Sequence, residues 1–388
     1  MKKKITESLL FRVVLAIALG IVCSLFFPVW AVRIFATFNG IFSNFLSMFI
    51  PLLILGLVAP GIADLGKGAG KLLLITFLIA YTSTVLAGIF SYYTCKFSYP
   101  VLLGDSARSL GNIDMSSSIA PYFVIDMPPF ISVTTALVLA FVLGLALAAM
   151  QGHALRDVVN DFRDLVFLTV NKVIIPCLPV FIFGIFLKMG KDGNVAPVLG
   201  MFIKIILIIV VMEIVVLTLQ FCIAGAVAGK NPIKSLFTML PAYVTALGTQ
   251  SSAATIPVTL SCAKKAGVSP GIADFTIPLC ATIHMSGSML QITACSYAMC
   301  LSMGLPHTPG IYFGFIAMLA ITMVAAPGIP GGAVMAALGL LGSMLGFDAN
   351  VQGLMIALYV ALDSFGTACN VTGDGAVSLI VNRISGRK

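Results

Sequence analysis

Charge is what this sequence is shortest of. Only 9% of its 388 residues are Asp, Glu, Lys or Arg, where a soluble chain carries about a quarter. Hydrophobic residues make up 60% and the mean hydropathy is +1.10. Those figures exclude a soluble protein and point to an integral, multi-span membrane protein. There is one Trp, there are three His, and no polar stretch is long enough for a soluble domain. The nine Cys (Cys23, Cys95, Cys177, Cys222, Cys262, Cys280, Cys295, Cys300 and Cys369) contain no C-x-x-C pair. With so few His beside them, a structural metal or a disulfide framework is not expected. Of the charge that is present, Lys and Arg dominate, giving a net charge of +8. In a membrane protein that excess reads as cationic cytoplasmic loops, not as a nucleic-acid surface.

What is there is a series of apolar runs. Met1-Lys-Lys-Lys4 precedes the first with no small-residue cleavage site after it, so Leu9 to Val29 reads as a first span and not as a signal peptide. Phe35 to Ile62, Leu72 to Tyr93, Phe130 to Met150, Leu165 to Leu187 and Val198 to Val227 read as five more. Lys67 and Lys71, Arg156 and Arg163, and Lys230 and Lys234 then fall on the cytoplasmic side, with 96–129 as the main external loop. The third span carries a polar patch, Tyr81-Thr-Ser-Thr84, and the fifth is interrupted by Pro176 and Pro179.

Beyond Lys234 the regularity breaks. Ser235 to Thr259 has a polar centre, Thr249-Gln-Ser-Ser-Ala-Ala-Thr-Ile-Pro257, and basic residues at both ends, which suits a re-entrant hairpin. Phe275 to Met303 reads as a span with Thr282-Ile-His-Met-Ser-Gly-Ser288 in its middle. Ile311 to Leu345 is a second interrupted segment, broken at Ala325-Ala-Pro-Gly-Ile-Pro-Gly-Gly332, and Val351 to Val381 is a last span. Paired interrupted segments in two halves are the sequence mark of an inverted-repeat transporter, with its sites at mid-membrane. Irregular backbone is tolerated there because it lines a cavity.

In that last span lies Asp363-Ser-Phe-Gly-Thr-Ala-Cys-Asn-Val-Thr-Gly-Asp374. Asp363, Thr367, Asn370 and Asp374 follow helical spacing and share one face. A carboxylate at the bilayer centre costs roughly 2.5–3.5 kcal/mol on insertion scales, so such a stripe is a functional-site hypothesis by default. The bland alternative is a buried ion pair, but no basic residue lies at mid-span in this half. An intramembrane hydrolase is disfavoured. His284 and Ser288 sit on one helix, Asp363 and Asp374 are eleven residues apart, and no Gly-x-Ser-x-Gly elbow is present.

Ser251-Ser252 in a hairpin tip, Ala281-Thr-Ile-x-Met-x-Gly, Gly328-Ile-Pro-Gly-Gly and Asn370-Val-Thr-Gly-Asp374 resemble the dicarboxylate/amino acid:cation symporters, the glutamate-transporter-type carriers. The resemblance follows span order over nearly the whole chain. It implies an all-α protein of eight transmembrane helices and two re-entrant hairpins with inverted repeats, an elevator-type secondary carrier and a homotrimer in the cytoplasmic membrane. Both termini would be cytoplasmic. Residues 1–71 would be scaffold spans, 72–97 a transport-domain span, 98–229 spans four to six (the sixth in the transport domain), and 230–388 the transport core. By position, Asp363 would bind a substrate amine. Asn370 and Ser252, with backbone N–H groups of the first hairpin tip, would hold its α-carboxylate. Thr367 and Ser288 would line its side-chain pocket, and Ser251, Gly328, Gly331 and Gly366 would also contact substrate. Met285 would sit between substrate and cation. Thr282, His284, Met285, Ser286, Asn370 and Asp374 would form the cation side, with Asp374 and Asn370 as Na⁺ ligands if sodium is the coupling ion. No cofactor is implied.

Two departures redirect the resemblance. Acidic-substrate members carry an Arg where this chain has Gly366, and an Arg in some first hairpin tips is here Gln250. Without that bidentate clamp, a neutral amino acid is expected, with added room for it. The family's Asn-Met-Asp-Gly-Thr is here His284-Met-Ser-Gly-Ser288, which removes one sodium-site Asp and places an imidazole near Asp374. Na⁺, H⁺ or both are therefore the candidate coupling ions. The alternatives are a proton-coupled or exchange-only carrier of a dicarboxylate or acidic amino acid, and a channel or transport-inactive sensor.

Overall fold

The computed structural model describes residues 9–65, 71–103, 119–150, 153–193, 195–324, 326 and 331–385. Every regular element among them is helical. In chain order these are α1 (Leu9–Ser24), α2 (Val29–Leu65), α3 (Lys71–Leu102), α4 (Val133–Ala149), α5 (Ala154–Thr169), α6 (Ile175–Lys191) and α7 (Val195–Ala228). Shorter pieces follow: α8 (Pro232–Thr238), α9 (Leu240–Thr249), α10 (Ser252–Lys265), α11 (Pro270–Ile283), α12 (Ser286–Met303), α13 (Pro309–Val324) and α14 (Gly332–Leu345). The long α15 (Ala349–Ile384) closes the chain.

Among the described residues, five helical stretches are long and apolar enough to cross a bilayer: Val29–Pro60, Lys71–Leu102, Ala154–Lys191, Val198–Ala228 and Ala349–Ile384. Their surfaces read as lipid-facing. α7 exposes Ile203, Leu207, Val211 and Ile214 along one stripe while it buries Phe202, Ile205, Ile209 and Met212. A helix apolar on both its exposed and its buried faces belongs in hydrocarbon. α15 is the exception, because nearly all of it is inside the protein. α7, α9, α10, α11 and α12 all pack on it, and α3 packs on α12. α2 packs instead with α4, α5 and α6, and α1 with α6.

Several boundaries differ from the sequence reading. The first helix ends at Ser24, five residues before Val29, and its hydroxyl donates back to Ile21 O at 2.6 Å. α3 runs to Leu102, so 96–102, expected as loop, is helix. The rest of that loop to 118 lies outside the described residues; 119–132 runs along α2, where Asn44 Nδ2 donates to Ile125 O at 2.7 Å. The prolines of the fifth span do not stop the helix. A π-helical turn, Val170–Ile174, joins α5 to α6 just before Pro176. Proline has no N–H for the carbonyl one turn back, and the wider turn accommodates the ring.

The first interrupted segment is a helix pair. α9 and α10 meet at Gln250, the one described non-glycine residue with positive φ (53°). Ser251 then caps α10, its Oγ accepting from Ala254 N. α13 and α14 form the second pair. Residues 325 and 327–330, with Gly328 among them, lie outside the described residues.

Candidate functional site

The site starts from a break that the sequence did not announce. Phe275 to Met303 was expected as one helix, but α11 stops at Ile283 and α12 begins at Ser286. Between them His284 (φ −100°, ψ 101°) and Met285 (φ −125°, ψ 46°) leave the helical region. The amides freed at the start of α12 find partners on other helices. Thr84 Oγ1 on α3 accepts from Met285 N at 3.2 Å. Asn370 Oδ1 on α15 accepts from Gly287 N at 2.8 Å and Ser288 N at 3.3 Å. The same side chain returns a bond, with Asn370 Nδ2 donating to Ser288 Oγ at 3.0 Å. One amide therefore holds a half-helix N-terminus against α15, and that terminus carries a partial positive charge.

The two carboxylates of the stripe are held differently. Asp363 is 5% exposed, and its Oδ2 accepts from Gly331 N at 2.7 Å. Gly331 sits at φ +75° as the N-cap of α14, a conformation that favours glycine. Asp363 thus ties α15 to the second helix pair, with no cation beside it among the described residues. Eleven residues on, Asp374 Oδ1 meets His284 Nδ1 at 3.0 Å, both side chains fully buried. His284 Nε2 in turn meets Ser83 Oγ at 3.0 Å, and Gln220 Nε2 on α7 donates to both Ser83 Oγ and Ser286 Oγ at 3.0 Å. The polar patch of the third span is therefore part of the cation end. Beside it, a cavity of about 520 Å³ lies between α3, α7 and α15, apolar except where Thr82, Ser83 and Gln220 line it.

Not every sequence candidate joins this cluster. Ser252, Met285, Ser286, Ser288, Thr367, Asn370 and Asp374 are buried in it or beside it. Thr282 is exposed, and its hydroxyl donates to Leu279 O of its own helix. Ser251 serves as the cap of α10, and Gly328 lies outside the described residues.

The largest correction is at Gly366. Loss of the family's Arg was expected to leave room, but Gln291 fills the space. A Cβ at Gly366 would stand 2.5 Å from Gln291 Oε1 and 2.7 Å from both Cδ and Nε2. Gln291 Nε2 is anchored by Glu213 Oε1 at 2.7 Å and Leu362 O at 2.9 Å. The sequence reading overlooked both Glu213 and Gln291. The signal was present: Glu213 is a lone carboxylate in the apolar run of α7, 2% exposed, which is the criterion that singled out Asp363. Tyr359, one turn before Asp363, was also overlooked. Its fully buried hydroxyl lies near Asp363 and Ser288 without hydrogen-bond geometry to either.

Chemically, the arrangement offers one carboxylate for an ammonium, one half-helix N-terminus for an anion and one buried imidazole–carboxylate pair. Ser83 Oγ, His284 and Asp374 form a hydroxyl–imidazole–carboxylate chain, but Ser83 Oγ also accepts from Gln220 Nε2 and the chain is buried between α3, α7 and α15. Among the described residues no cluster of three His, Cys, Asp or Glu could hold a metal.

Comparison with known proteins agrees in span and in kind. The sequence model described as the sodium:dicarboxylate symporter family matches residues 9–384. The chain is 29% identical over 391 residues to the serine/threonine transporter SstT of Acinetobacter baumannii (strain AYE), covering 95% of this chain and 94% of that protein. It is also 29% identical, over 348 residues, to the serine/threonine transporter SstT of Streptococcus suis (strain 05ZYH33), covering 84% of this chain and 93% of that one.

Proposed function

The chain belongs to the sodium:dicarboxylate symporter family, and from that premise we propose that it is a secondary active, cation-coupled symporter for a small neutral amino acid. It is a membrane transporter and not an enzyme. The observation that carries the substrate assignment is that Asp363 is buried at a site with no cation against it among the described residues. Asp363 suits the substrate's ammonium and the N-terminus of α10 suits its carboxylate, while the nearest described group at Gly366 is the uncharged Gln291 amide. The relatives named as serine/threonine transporters support a neutral substrate over a dicarboxylate. In this reading Asp363, Thr367, Asn370, Ser252, Ser288 and Gly331 contact substrate. Asp363 Oδ2 already accepts from Gly331 N, so the α13–α14 pair would close over an ammonium held at Oδ1 and act as a gate.

The elevator reading has α3 and α7–α15 as the moving body and α1, α2 and α4–α6 as the scaffold of a homotrimer. The packing of α3 on α12, and of α2 on α4 to α6, supports that division. Eight spans with two re-entrant pairs would place both chain ends on the cytoplasmic face of the cytoplasmic membrane.

The family's name favours Na⁺ as the coupling ion. A specific observation favours H⁺ at one site. His284 bonds Asp374 directly, and the Gln220 amide occupies the Ser83 and Ser286 hydroxyls that would otherwise face a cation. Asn370 Oδ1 is likewise engaged by two backbone N–H groups, so it must give these up to serve as a Na⁺ ligand. The test is uptake of labelled amino acids into proteoliposomes, with Na⁺ and pH gradients imposed separately. Concentrative uptake of a neutral amino acid is expected. Downhill flux alone would mean a channel, uptake of aspartate or a dicarboxylate in preference to neutral amino acids would overturn the substrate class, and no flux with specific binding would mean a sensor.

A further inference from the structure

Three buried polar atoms at the substrate end of the stripe have no partner, Gln291 Oε1, Glu213 Oε2 and Tyr359 Oη. Buried polar atoms are paired in the great majority of cases, so an orphan at a binding site asks what completes it. The orientation of Gln291 is fixed by its surroundings. Its nitrogen faces two acceptors, Glu213 Oε1 and Leu362 O, so the atom left over is the carbonyl oxygen, an acceptor. The whole amide lies against Gly366, the position where acidic-substrate carriers keep a cationic donor. The space is therefore filled with its polarity inverted.

We infer that Gln291 Oε1 accepts a hydrogen bond from a side-chain hydroxyl of the substrate, and that Glu213 is the positioning residue that holds the amide in that orientation. The inference rests on the amino acid symport reading above and narrows it to short hydroxy amino acids. A carbonyl oxygen repels a side-chain carboxylate and stays unpaired beside a methyl group, while a hydroxyl satisfies it. Spacing supports a short side chain. Gly366 is three residues from Asp363, about 4.5 Å along the helix axis. Gln291 Nε2 bonds the carbonyl of Leu362, the residue before Asp363, so a short side chain suits a substrate whose ammonium is held at Asp363.

The test is binding to the purified full chain, read as thermal stabilisation by L-serine, L-alanine, L-threonine, L-2-aminobutyrate and L-aspartate. Alanine and 2-aminobutyrate match serine and threonine without the hydroxyl donor. In the wild type, serine and threonine are expected to bind three- to tenfold more tightly than their partners, about what one neutral hydrogen bond yields. Gln291→Leu should bring that ratio to about one. Glu213→Gln, which keeps an acceptor for Gln291 Nε2, should preserve it, whereas Glu213→Leu should lose it. A general loss of folding would lower all affinities together without moving the ratio. Equal binding of serine and alanine by the wild type sinks this inference and leaves amino acid transport standing, and it needs no variant. An unchanged ratio in Gln291→Leu also sinks it. If no amino acid binds at all, the symport reading fails first and takes this inference with it.

Discussion

Substituting Gly366 by alanine adds one methyl group at the tightest contact of the site. That Cβ would stand 2.5 Å from Gln291 Oε1 and 2.7 Å from its Cδ and Nε2, closer than carbon tolerates. Gln291 cannot simply swing away, because Nε2 is bonded to Glu213 and to Leu362 O. Overpacking of this kind costs typically 1–3 kcal/mol. Displacing the amide forfeits a bond to Glu213 worth about 1.5–3 kcal/mol if that group is charged, and a neutral one worth about 1 kcal/mol. Partial relaxation avoids paying all of these together, so a loss of about 2–4 kcal/mol is expected. The assay is unfolding in detergent micelles, run as a double-mutant cycle with Gln291→Ala. If the clash is the cause, Gly366→Ala should cost far less in the Gln291→Ala background, with a coupling of about 1–3 kcal/mol. A cost below about 0.5 kcal/mol for Gly366→Ala alone, within the range of neutral surface changes, would refute the packing argument. Strict additivity of the two substitutions would refute it as well.

Other expected outcomes follow from the same geometry. Asp363→Asn should abolish amino acid uptake while leaving assembly intact in size-exclusion chromatography, and wild-type rates would remove Asp363 from the amine site. His284→Asn should flatten the pH dependence of uptake and sharpen its dependence on Na⁺. If the proton is the ion carried there, wild-type uptake rises as external pH falls, and an identical profile in the variant would take His284 out of coupling. Asn370→Ala strips the N–H groups of Gly287 and Ser288 of their acceptor, so a loss of about 1–3 kcal/mol in stability is expected beside lost uptake. Gly331→Ala forces a side chain into φ +75°, costing about 1 kcal/mol or more, and should slow uptake more than it weakens substrate binding at equilibrium.

The amino-acid sequence by itself determined that this chain is a membrane protein, because a composition with so few charges leaves no other solvent for its apolar runs. It determined the polar stripe on α15, because helical periodicity alone places Asp363, Asn370 and Asp374 on one face. It also located both interrupted segments and the missing Arg. Tertiary structure decided what those features became. The break at His284–Met285 has no Pro or Gly at its centre to announce it; Asn370 and Thr84 make it, by supplying from two other helices the acceptors that α12 lacks. The π-helical turn before Pro176 is likewise a local compromise that a proline count reads as an interruption. The space at Gly366 shows the difference most plainly. A sequence records that a side chain is gone, but which neighbour moves in depends on helices that meet only in the fold. Here α12 brings Gln291 over Gly366 and α7 brings Glu213 behind it, so the residue without a side chain is covered by an amide.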